Sequence, residues 1–172
     1  MGTEVERKFL VTSEAWRAGV RDAVRMRQGY LPGIETASVR VRVADERAWL
    51  NIKSATLDVS RREYEVPIAL EDAEEILDLL CERPLIEKTR HHVPHGRHLW
   101  EVDVFEGENA GLVVAEIELG TPDEPFERPP WLGEEVSHDP RYYNVSLVRQ
   151  PYRAWARPAA GVTHERHEPG QP

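Results

Sequence analysis

Short stretches in which charged and apolar residues alternate recur along most of this chain. Within most stretches, like charges stand two residues apart, and Val, Ile or Leu occupies the positions beside them. Because successive side chains of a β-strand point to opposite faces, each stretch predicts a strand with one charged and one apolar face. About eight such strands can be counted, at residues 4–11, 28–31, 38–43, 49–53, 62–68, 85–91, 100–105 and 112–119.

Two helices are predicted among these strands. Ser13 can cap a first helix, whose apolar stripe consists of Trp16, Val20 and Val24. Residues 71–80 predict a second helix, because its first turn is acidic, which the helix macrodipole favours, and one side is apolar. The proline-rich stretch 121–133 indicates a loop, and a short element is expected at 142–148.

The charged faces of the strands carry many acids and bases. The acids are Glu4, Glu6, Glu63, Glu65, Glu101, Asp103, Glu116 and Glu118. The bases are Lys8, Arg40, Arg42, Lys53, Lys88 and Arg90. A sheet with one face in water also alternates in this way, so a single strand is uninformative. Taken together, however, the strands carry matched blocks of opposite charge.

Sheets of many strands tend to close, because closure removes their exposed edges. We therefore predict an α+β, mainly β, fold: an eight-stranded closed antiparallel β-barrel with a few flanking helices and its charged faces inward. Enclosing so many ions in a dry interior would cost several kcal/mol for each ion. The interior is thus expected to hold water, metal ions or a polyanion.

Composition limits the size, location and partners of the protein. With 172 residues, 40% of them hydrophobic, the chain fits one domain at 1–156, and residues 157–172 are expected to be a disordered tail. The charged N-terminus and the lack of a long apolar run predict a cytoplasmic protein without a membrane partner. The net charge of −9 argues against non-specific nucleic-acid binding. The single cysteine, Cys81, cannot form an internal disulfide.

Carboxylates and basic side chains facing one cavity indicate a particular chemistry. Hard cations such as Mg²⁺ and Mn²⁺ bind carboxylate oxygens and bridge them to phosphates. Arg holds phosphate through forked hydrogen bonds, and Lys does so as a point charge. The pattern predicts metal-assisted phosphoryl or nucleotidyl transfer, without the glycine-rich loop of the P-loop enzymes.

The residues at 4–8, Glu-Val-Glu-Arg-Lys, match the N-terminal Glu-x-Glu-x-Lys signature of the CYTH superfamily, the triphosphate tunnel metalloenzymes. The later charged motifs follow in the order of that family, at 40–42, 53, 63–65, 88–90, 101–103 and 116–118. The resemblance covers residues 3 to 148. It implies a tunnel that binds a triphosphate along a basic wall and one or two Mg²⁺ or Mn²⁺ ions at an acidic end.

The resemblance also implies roles for single residues. The implied metal ligands are Glu4, Glu6, Glu116 and Glu118, joined by Asp103 and Glu101. The implied phosphate ligands are Lys8, Arg40, Arg42, Lys53 and Arg90. Lys88 either holds phosphate or orients the attacking water, and with Lys8, Glu116 and Glu118 it forms the predicted catalytic group. Glu63 and Glu65 either bind a second metal or orient the basic side chains.

Several activities share these walls. The superfamily includes short bacterial-type inorganic triphosphatases, thiamine triphosphatases and class IV adenylate cyclases. We expect metal-dependent hydrolysis of inorganic tripolyphosphate to pyrophosphate and orthophosphate, because the chain is compact and shows no obvious nucleobase pocket. The alternatives are cyclisation of ATP, hydrolysis of thiamine or nucleoside triphosphates, and a non-catalytic polyphosphate or nucleotide sensor. The oligomeric state stays open.

Two further features have alternative interpretations. His91, His92, His95 and His98 either bind a transition metal or belong to a solvated hairpin loop, which the turn residues Pro94 and Gly96 favour. Tyr142 either covers the tunnel mouth or simply packs.

Overall fold

The computed structural model describes residues 5–54 and 63–155, and Glu4 and the predicted tail at 157–172 lie outside them. The strands are β1 (Val5–Val11), β2 (Asp22–Tyr30), β3 (Ala37–Ala44), β4 (Arg47–Ser54), β5 (Glu63–Ile68), β6 (Ile86–His95), β7 (His98–Phe105), β8 (Val113–Leu119) and β9 (Leu132–Glu135). The helices are α1 (Leu70–Leu79), α2 (Asn144–Arg149) and α3 (Tyr152–Trp155). None of the helices in this described part is long and apolar enough to cross a membrane.

All nine strands form one antiparallel sheet, in the order β5-β4-β3-β2-β6-β7-β8-β1-β9. The predicted mainly β class is confirmed, with two corrections. The sheet has nine strands instead of eight, and no hydrogen-bonded ladder among the described strands closes it. The physical reason lies at β1, whose outer edge is occupied by β9 through the pairs Phe9–Glu135 and Val11–Leu132. Strand β9 was not predicted from the sequence, because it is short and follows two prolines.

The first predicted helix was wrong in extent. Residues Glu14–Gly19 form only a 3-10 helix, in which the Ser13 hydroxyl accepts a hydrogen bond from the Ala15 amide (3.4 Å). Val24, which was assigned to the helix, instead lies on β2 opposite Arg90. Pairing of β2 with β6 therefore outweighs the helical spacing of Trp16, Val20 and Val24. The second helix is confirmed as α1.

Apolar side chains cover the outer face of the sheet at two places. Phe9, Trp100 and Ile117 are buried beneath Trp16 and Trp131, and the rings of Phe9 and Trp100 meet edge to face at 5.7 Å. Near the other end of the strand order, α1 buries Ala73 and Leu77 against the cluster of Val41, Val43 and Ala48. Each large side chain buried in this way contributes about 1.5–3 kcal/mol. This packing leaves the opposite, charged face of the sheet available for a site.

A third apolar cluster lies at one end of that opposite face. Ile86 shares the face of Lys88 two residues along β6, and it packs with Phe105 and Leu147. The C-terminal α2 thus caps the apolar end of the charged face. Tyr142 packs against this cluster, with its ring 5.3 Å from that of Trp155, so the packing interpretation of Tyr142 fits the structure.

A polar clamp fastens β9 to β1. Arg7 Nε donates to Glu135 Oε1 (2.9 Å), a second Arg7 nitrogen contacts the other carboxylate oxygen, and Ser137 Oγ donates to Glu135 Oε1 (2.7 Å). The bonds from Arg7 and then from Ser137 lower the pKa of Glu135 from its usual 4.5 to about 2. The clamp therefore depends on an ionised Glu135.

We expect Glu135→Gln to lower the free energy of unfolding by about 1–2 kcal/mol at pH 7, because it removes charge-assisted hydrogen bonds. Since the folded pKa lies below the usual value, this contribution is present above pH 4.5 and is lost as the pH falls toward 2. Urea unfolding of parent and variant between pH 7 and pH 3 measures it. Glu14→Gln, in an exposed ion pair, is the control. An equal difference at every pH would contradict this prediction.

Candidate active site

The pairing register brings the predicted charged residues onto one face, because directly opposed residues of paired antiparallel strands point to the same side. The opposed pairs that establish this are Lys8–Glu116, Glu101–Glu116, Arg90–Asp103, Arg40–Asn51, Lys53–Glu63 and Asn51–Glu65. Every predicted site residue within 5–54 and 63–155 lies on this side, the charged face. We divide it into an acidic wall of Glu6, Glu101, Asp103, Glu116 and Glu118, and a basic wall of Arg40, Arg42 and Lys53.

Glu116 is the centre of the acidic wall. Its residue is only 5% exposed, and each carboxylate oxygen meets a cation. Lys8 Nζ lies 2.8 Å from Oε1, and Arg90 Nη2 lies 2.6 Å from Oε2. Burial acts to raise the pKa of Glu116, but the charges of Lys8 and Arg90 outweigh it and hold the pKa well below its usual range. Glu116 is therefore ionised at neutral pH.

Arg90 connects Glu116 to the neighbouring acids. It binds the fully buried Asp103 through a fork, Nε to Oδ1 at 2.7 Å and Nη2 to Oδ2 at 2.8 Å. Its third nitrogen contacts Glu101. The buried Lys88 also contacts Asp103. The acids and bases of the acidic wall are thus paired with one another.

Glu6 behaves differently from Glu116. The negative charge of Glu116 and, next, burial raise the pKa of Glu6, against the lowering effect of Lys8. The Glu6 side chain is 57% exposed, so the neighbouring charge is the chief cause. Its nearest cation, Lys8 Nζ, lies 3.7 Å away and is shared with Glu116. Glu6 is thus the acid of this pair whose negative charge is poorly compensated.

The charged face also curls upon itself. Lys53 on β4 acts on the pKa of Glu6 on β1, although five strands separate β4 from β1 in the sheet order. Charges on distant strands therefore face one another, as a tunnel requires.

Acids from β5 hold the basic wall. Glu63 Oε2 lies 3.0 Å from Lys53 Nζ, and Glu65 Oε2 lies 2.8 Å from Arg42 Nη2. Asn51 Nδ2 donates to Glu65 (2.7 Å) and to Glu63 (3.2 Å). This is the arrangement expected if these acids orient the basic side chains. Burial, and then the positive charge of Arg40, lowers the pKa of Arg42.

The carboxylates of the charged face can hold a hard divalent cation only if their side chains first rearrange. Within the described residues, no three His, Cys, Asp or Glu side chains are grouped closely enough to hold a metal ion. The carboxylates of Glu6, Glu116 and Glu118 nevertheless lie on the neighbouring strands β1 and β8, and carboxylates are the ligands that Mg²⁺ and Mn²⁺ prefer. Ligands that occupied Lys8 and Arg90 would release these oxygens.

The histidines do not form a common site. His91 lies on β6 with its ring 4.9 Å from the outer-face Trp16 ring, whereas His92 contacts Asp22 and lies 3.6 Å from Glu101. His98, on β7, lies 2.9 Å from Glu124. The loop interpretation was therefore wrong for these residues, since the strands extend to a tight turn at Gly96.

The charged face also contains uncharged polar residues that were not predicted from the sequence. Gln28 and Tyr30 lie on β2, opposite Arg42 and Arg40, and Asn51 lies on β4 opposite Arg40. All three are buried. A search for paired like charges does not detect them, although Gln28 and Tyr30 have the same two-residue spacing.

A curled antiparallel sheet that sets carboxylates against guanidinium and ammonium groups defines a protein with a tunnel for a polyanion. The CYTH domain matches residues 2–152 of the chain. The chain belongs to the CYTH family, which confirms the resemblance seen in the sequence.

Two inorganic triphosphatases are similar to this chain over nearly their whole length. An inorganic triphosphatase of Acetivibrio thermocellus is 46% identical over 153 residues, which cover 89% of this chain and 97% of the relative. An inorganic triphosphatase of Nitrosomonas europaea is 39% identical over 151 residues, with 85% and 97% covered. The crystal structure of the inorganic triphosphatase NE1496 superposes with a TM-score of 0.67 at 36% identity, covering 86% of this chain and 95% of that one.

Proposed function

We propose that the chain is an inorganic triphosphatase, a hydrolase that converts tripolyphosphate and water to pyrophosphate and orthophosphate. The observation that carries this proposal is the basic wall of Arg40, Arg42 and Lys53, held across a curled sheet from the acid cluster around Glu116. The similarity to two inorganic triphosphatases over most of their length supports the same reaction. A small polyphosphate is the partner, and a cytoplasmic location stays a prediction.

The basic side chains bind the phosphates. Arg40, Arg42 and Lys53 hold one part of the substrate, and Lys8, Lys88 and Arg90 hold the part beside the acidic wall. Arg90 is already bound through a fork to a carboxylate, and the same geometry suits a phosphate. The substrate thus replaces carboxylates as the partner of these cations.

Carboxylates freed by this exchange would hold a divalent cation, Mg²⁺ or Mn²⁺. Glu6, Glu116 and Glu118 are the proposed ligands, joined by Glu4, which lies outside the described residues, and by Asp103 and Glu101. When bound, the ion neutralises phosphate charge and polarises water. Glu63 and Glu65 position the basic wall, consistent with their contacts to Lys53 and Arg42.

The reaction is an in-line displacement at a terminal phosphorus. A water oxygen forms the new bond to phosphorus, the bridging P–O bond breaks, and pyrophosphate leaves. Glu116 and Glu118 orient the attacking water. Lys8 and Lys88 stabilise the negative charge on the leaving oxygen, which a preorganised cation does without reorganisation. The protons of the water pass to phosphate oxygens or to solvent.

Substrate choice is tested by measuring kcat/KM for tripolyphosphate, ATP and thiamine triphosphate, first with Mg²⁺ and then with Mn²⁺. We expect tripolyphosphate to be preferred. Formation of cyclic AMP and pyrophosphate from ATP would instead indicate a cyclase, and tight binding without turnover would indicate a sensor.

Glu6→Gln should stabilise the ligand-free protein at pH 7.5, because the variant removes repulsion from Glu116. An increase of about 1–3 °C in melting temperature is expected. The pKa of Glu6 is raised above 4.5, so Glu6 loses its negative charge as the pH falls toward 4.5. The gain in melting temperature of the variant over the parent should therefore shrink over this range. Thermal melts with and without Mg²⁺ and a triphosphate analogue measure both this advantage and a weaker metal response.

The matched control for this variant is Glu46→Gln, which makes the same change at an exposed position. A lower melting temperature for ligand-free Glu6→Gln, with an unchanged response to Mg²⁺, would assign Glu6 to a stabilising ion pair instead.

A further inference from the structure

Gln28 is a buried polar residue on the charged face, next to the apolar cluster that contains Ile86. It lies on β2 opposite Arg42 of β3 on one side and opposite Ile86 of β6 on the other. Only 1% of the residue is exposed. Its neighbour Gly29 fixes this part of β2 closely, since an added Cβ there would lie 2.7 Å from Cys81 Sγ. Gln28 therefore lies in a closely packed segment of β2, on the same face as the basic wall.

Three buried donors lack acceptors in this region. Across residues 5–54 and 63–155, no protein group accepts a hydrogen bond from Gln28 Nε2, Arg40 Nε or Arg42 Nε. Gln28 is opposite Arg42, and Arg40 is two residues from Arg42, so the three donors lie on adjacent strands. A buried donor without an acceptor is costly, so such groups in a folded protein call for a partner.

The chemistry of that partner follows from the donors. The unpaired atoms of Gln28, Arg40 and Arg42 are all N–H donors, which match the oxygens of an anion. The two arginines already repel each other, and a third cation would add to this repulsion. A neutral amide adds a hydrogen bond to the anion without adding charge.

We propose that Gln28 is a substrate-binding residue, whose amide donates to a non-bridging oxygen of the phosphoryl group held by Arg40 and Arg42. This inference rests on the proposed function and extends it, because it adds a neutral donor to the phosphate contacts of the basic wall. The residue binds substrate but takes no part in the displacement at phosphorus.

Gln28→Met tests this role, because it keeps the length of the side chain and removes the donor. We expect KM for tripolyphosphate to rise on the order of tenfold, with kcat changed less than about threefold. The ligand-free melting temperature should be unchanged or higher, since a buried unpaired donor has been removed. Gln150→Met, the same change at an exposed position, should alter neither quantity.

Gln28→Glu is the second variant, nearly identical in shape but negatively charged. It should weaken substrate binding more than Gln28→Met does, because a carboxylate repels phosphate and pairs with Arg42. A purely structural role for Gln28 predicts the opposite pattern, a lower ligand-free melting temperature with an unchanged KM, and that pattern would overturn the proposal.

A binding measurement separates this inference from the proposed activity. Isothermal titration of the full chain with a non-hydrolysable imido analogue of tripolyphosphate in Mg²⁺ reports affinity without turnover, at a temperature where all variants are folded. Weaker binding by both Gln28 variants supports the inference even if the parent hydrolyses no tripolyphosphate. Unchanged affinity in both variants overturns it even if the parent is an active triphosphatase.

Discussion

Glu116→Gln should lower turnover of tripolyphosphate on the order of 10²–10³-fold and also destabilise the ligand-free protein by about 3 kcal/mol. The loss of turnover follows from the removal of a proposed metal ligand. The loss of stability follows from the two cations that contact Glu116. Lys8 Nζ lies 2.8 Å and Arg90 Nη2 lies 2.6 Å from its carboxylate oxygens, and both side chains keep their charges when the carboxylate is replaced by an amide. Removing one partner from a buried network of ion pairs is costly, so the two effects appear together.

Phosphate release and urea unfolding measure these two quantities. The control is Glu87→Gln, a partly exposed glutamate on β6 whose nearest measured cation, Arg25, lies 3.8 Å away. Its stability should stay within about 0.5 kcal/mol of the parent. A Glu116→Gln variant as stable as the parent would contradict the assigned ion pairs, and near-normal turnover would remove Glu116 from the metal site.

Arg42→Ala should raise KM for tripolyphosphate about 10- to 100-fold, the equivalent of losing one charge-assisted hydrogen bond of about 1.5–3 kcal/mol. The effect on kcat should be smaller, because the ion pair of Arg42 is with Glu65 and not with a proposed catalytic residue. Arg42→Lys should fall between parent and Arg42→Ala, since it keeps the charge but loses the planar fork. Arg25→Ala, an exposed change, is the control.

Steady-state kinetics with Mg²⁺ in excess measure this prediction. Unchanged KM in Arg42→Ala would mean that Arg42 serves only to pair with Glu65, at 2.8 Å, and that the basic wall does not bind phosphate. The variant also loses the ion pair between Arg42 and Glu65. This loss should change the free energy of unfolding by only about 0–1 kcal/mol.

The pairing of acids and bases links the binding of substrate to the binding of the metal ion. Lys8 and Arg90 are bound to Glu116, and phosphate can replace the carboxylate at both cations. The carboxylate is then free for a metal ion, which in turn holds the phosphate. Metal and substrate should therefore each bind more tightly in the presence of the other, and such coupling must be reciprocal.

Much of the fold was legible from the sequence because the charged strands alternate with a strict period of two. The spacing of Arg40 and Arg42, or of Lys88 and Arg90, fixed both the strand and the face. Helix α1 was predicted from its acidic start and apolar side. Strand β9 was not predicted, because its four residues follow two prolines and show no alternation of charged and apolar side chains. Val24 was misassigned because its spacing from Val20 fits a helix equally well.

The sequence was enough to predict which charged residues belong to the candidate site, but not which of them contact one another. Strand register decides which acid meets which base, and nothing in the sequence places Glu116 between Lys8 and Arg90. Register also decides that Glu6 is poorly compensated while Glu116 is ionised by two cations. Gln28 could not be found by charge, since its role depends on burial beside Arg42.

The most direct test of the account is phosphate release from tripolyphosphate by the purified full-length chain, with and without divalent ions. With Mg²⁺ or Mn²⁺, we predict that orthophosphate and pyrophosphate appear in equal amounts, and that release stops when the ions are removed by chelation and resumes when they are restored. Full turnover after exhaustive chelation, or no release of phosphate at any metal concentration, would contradict the account.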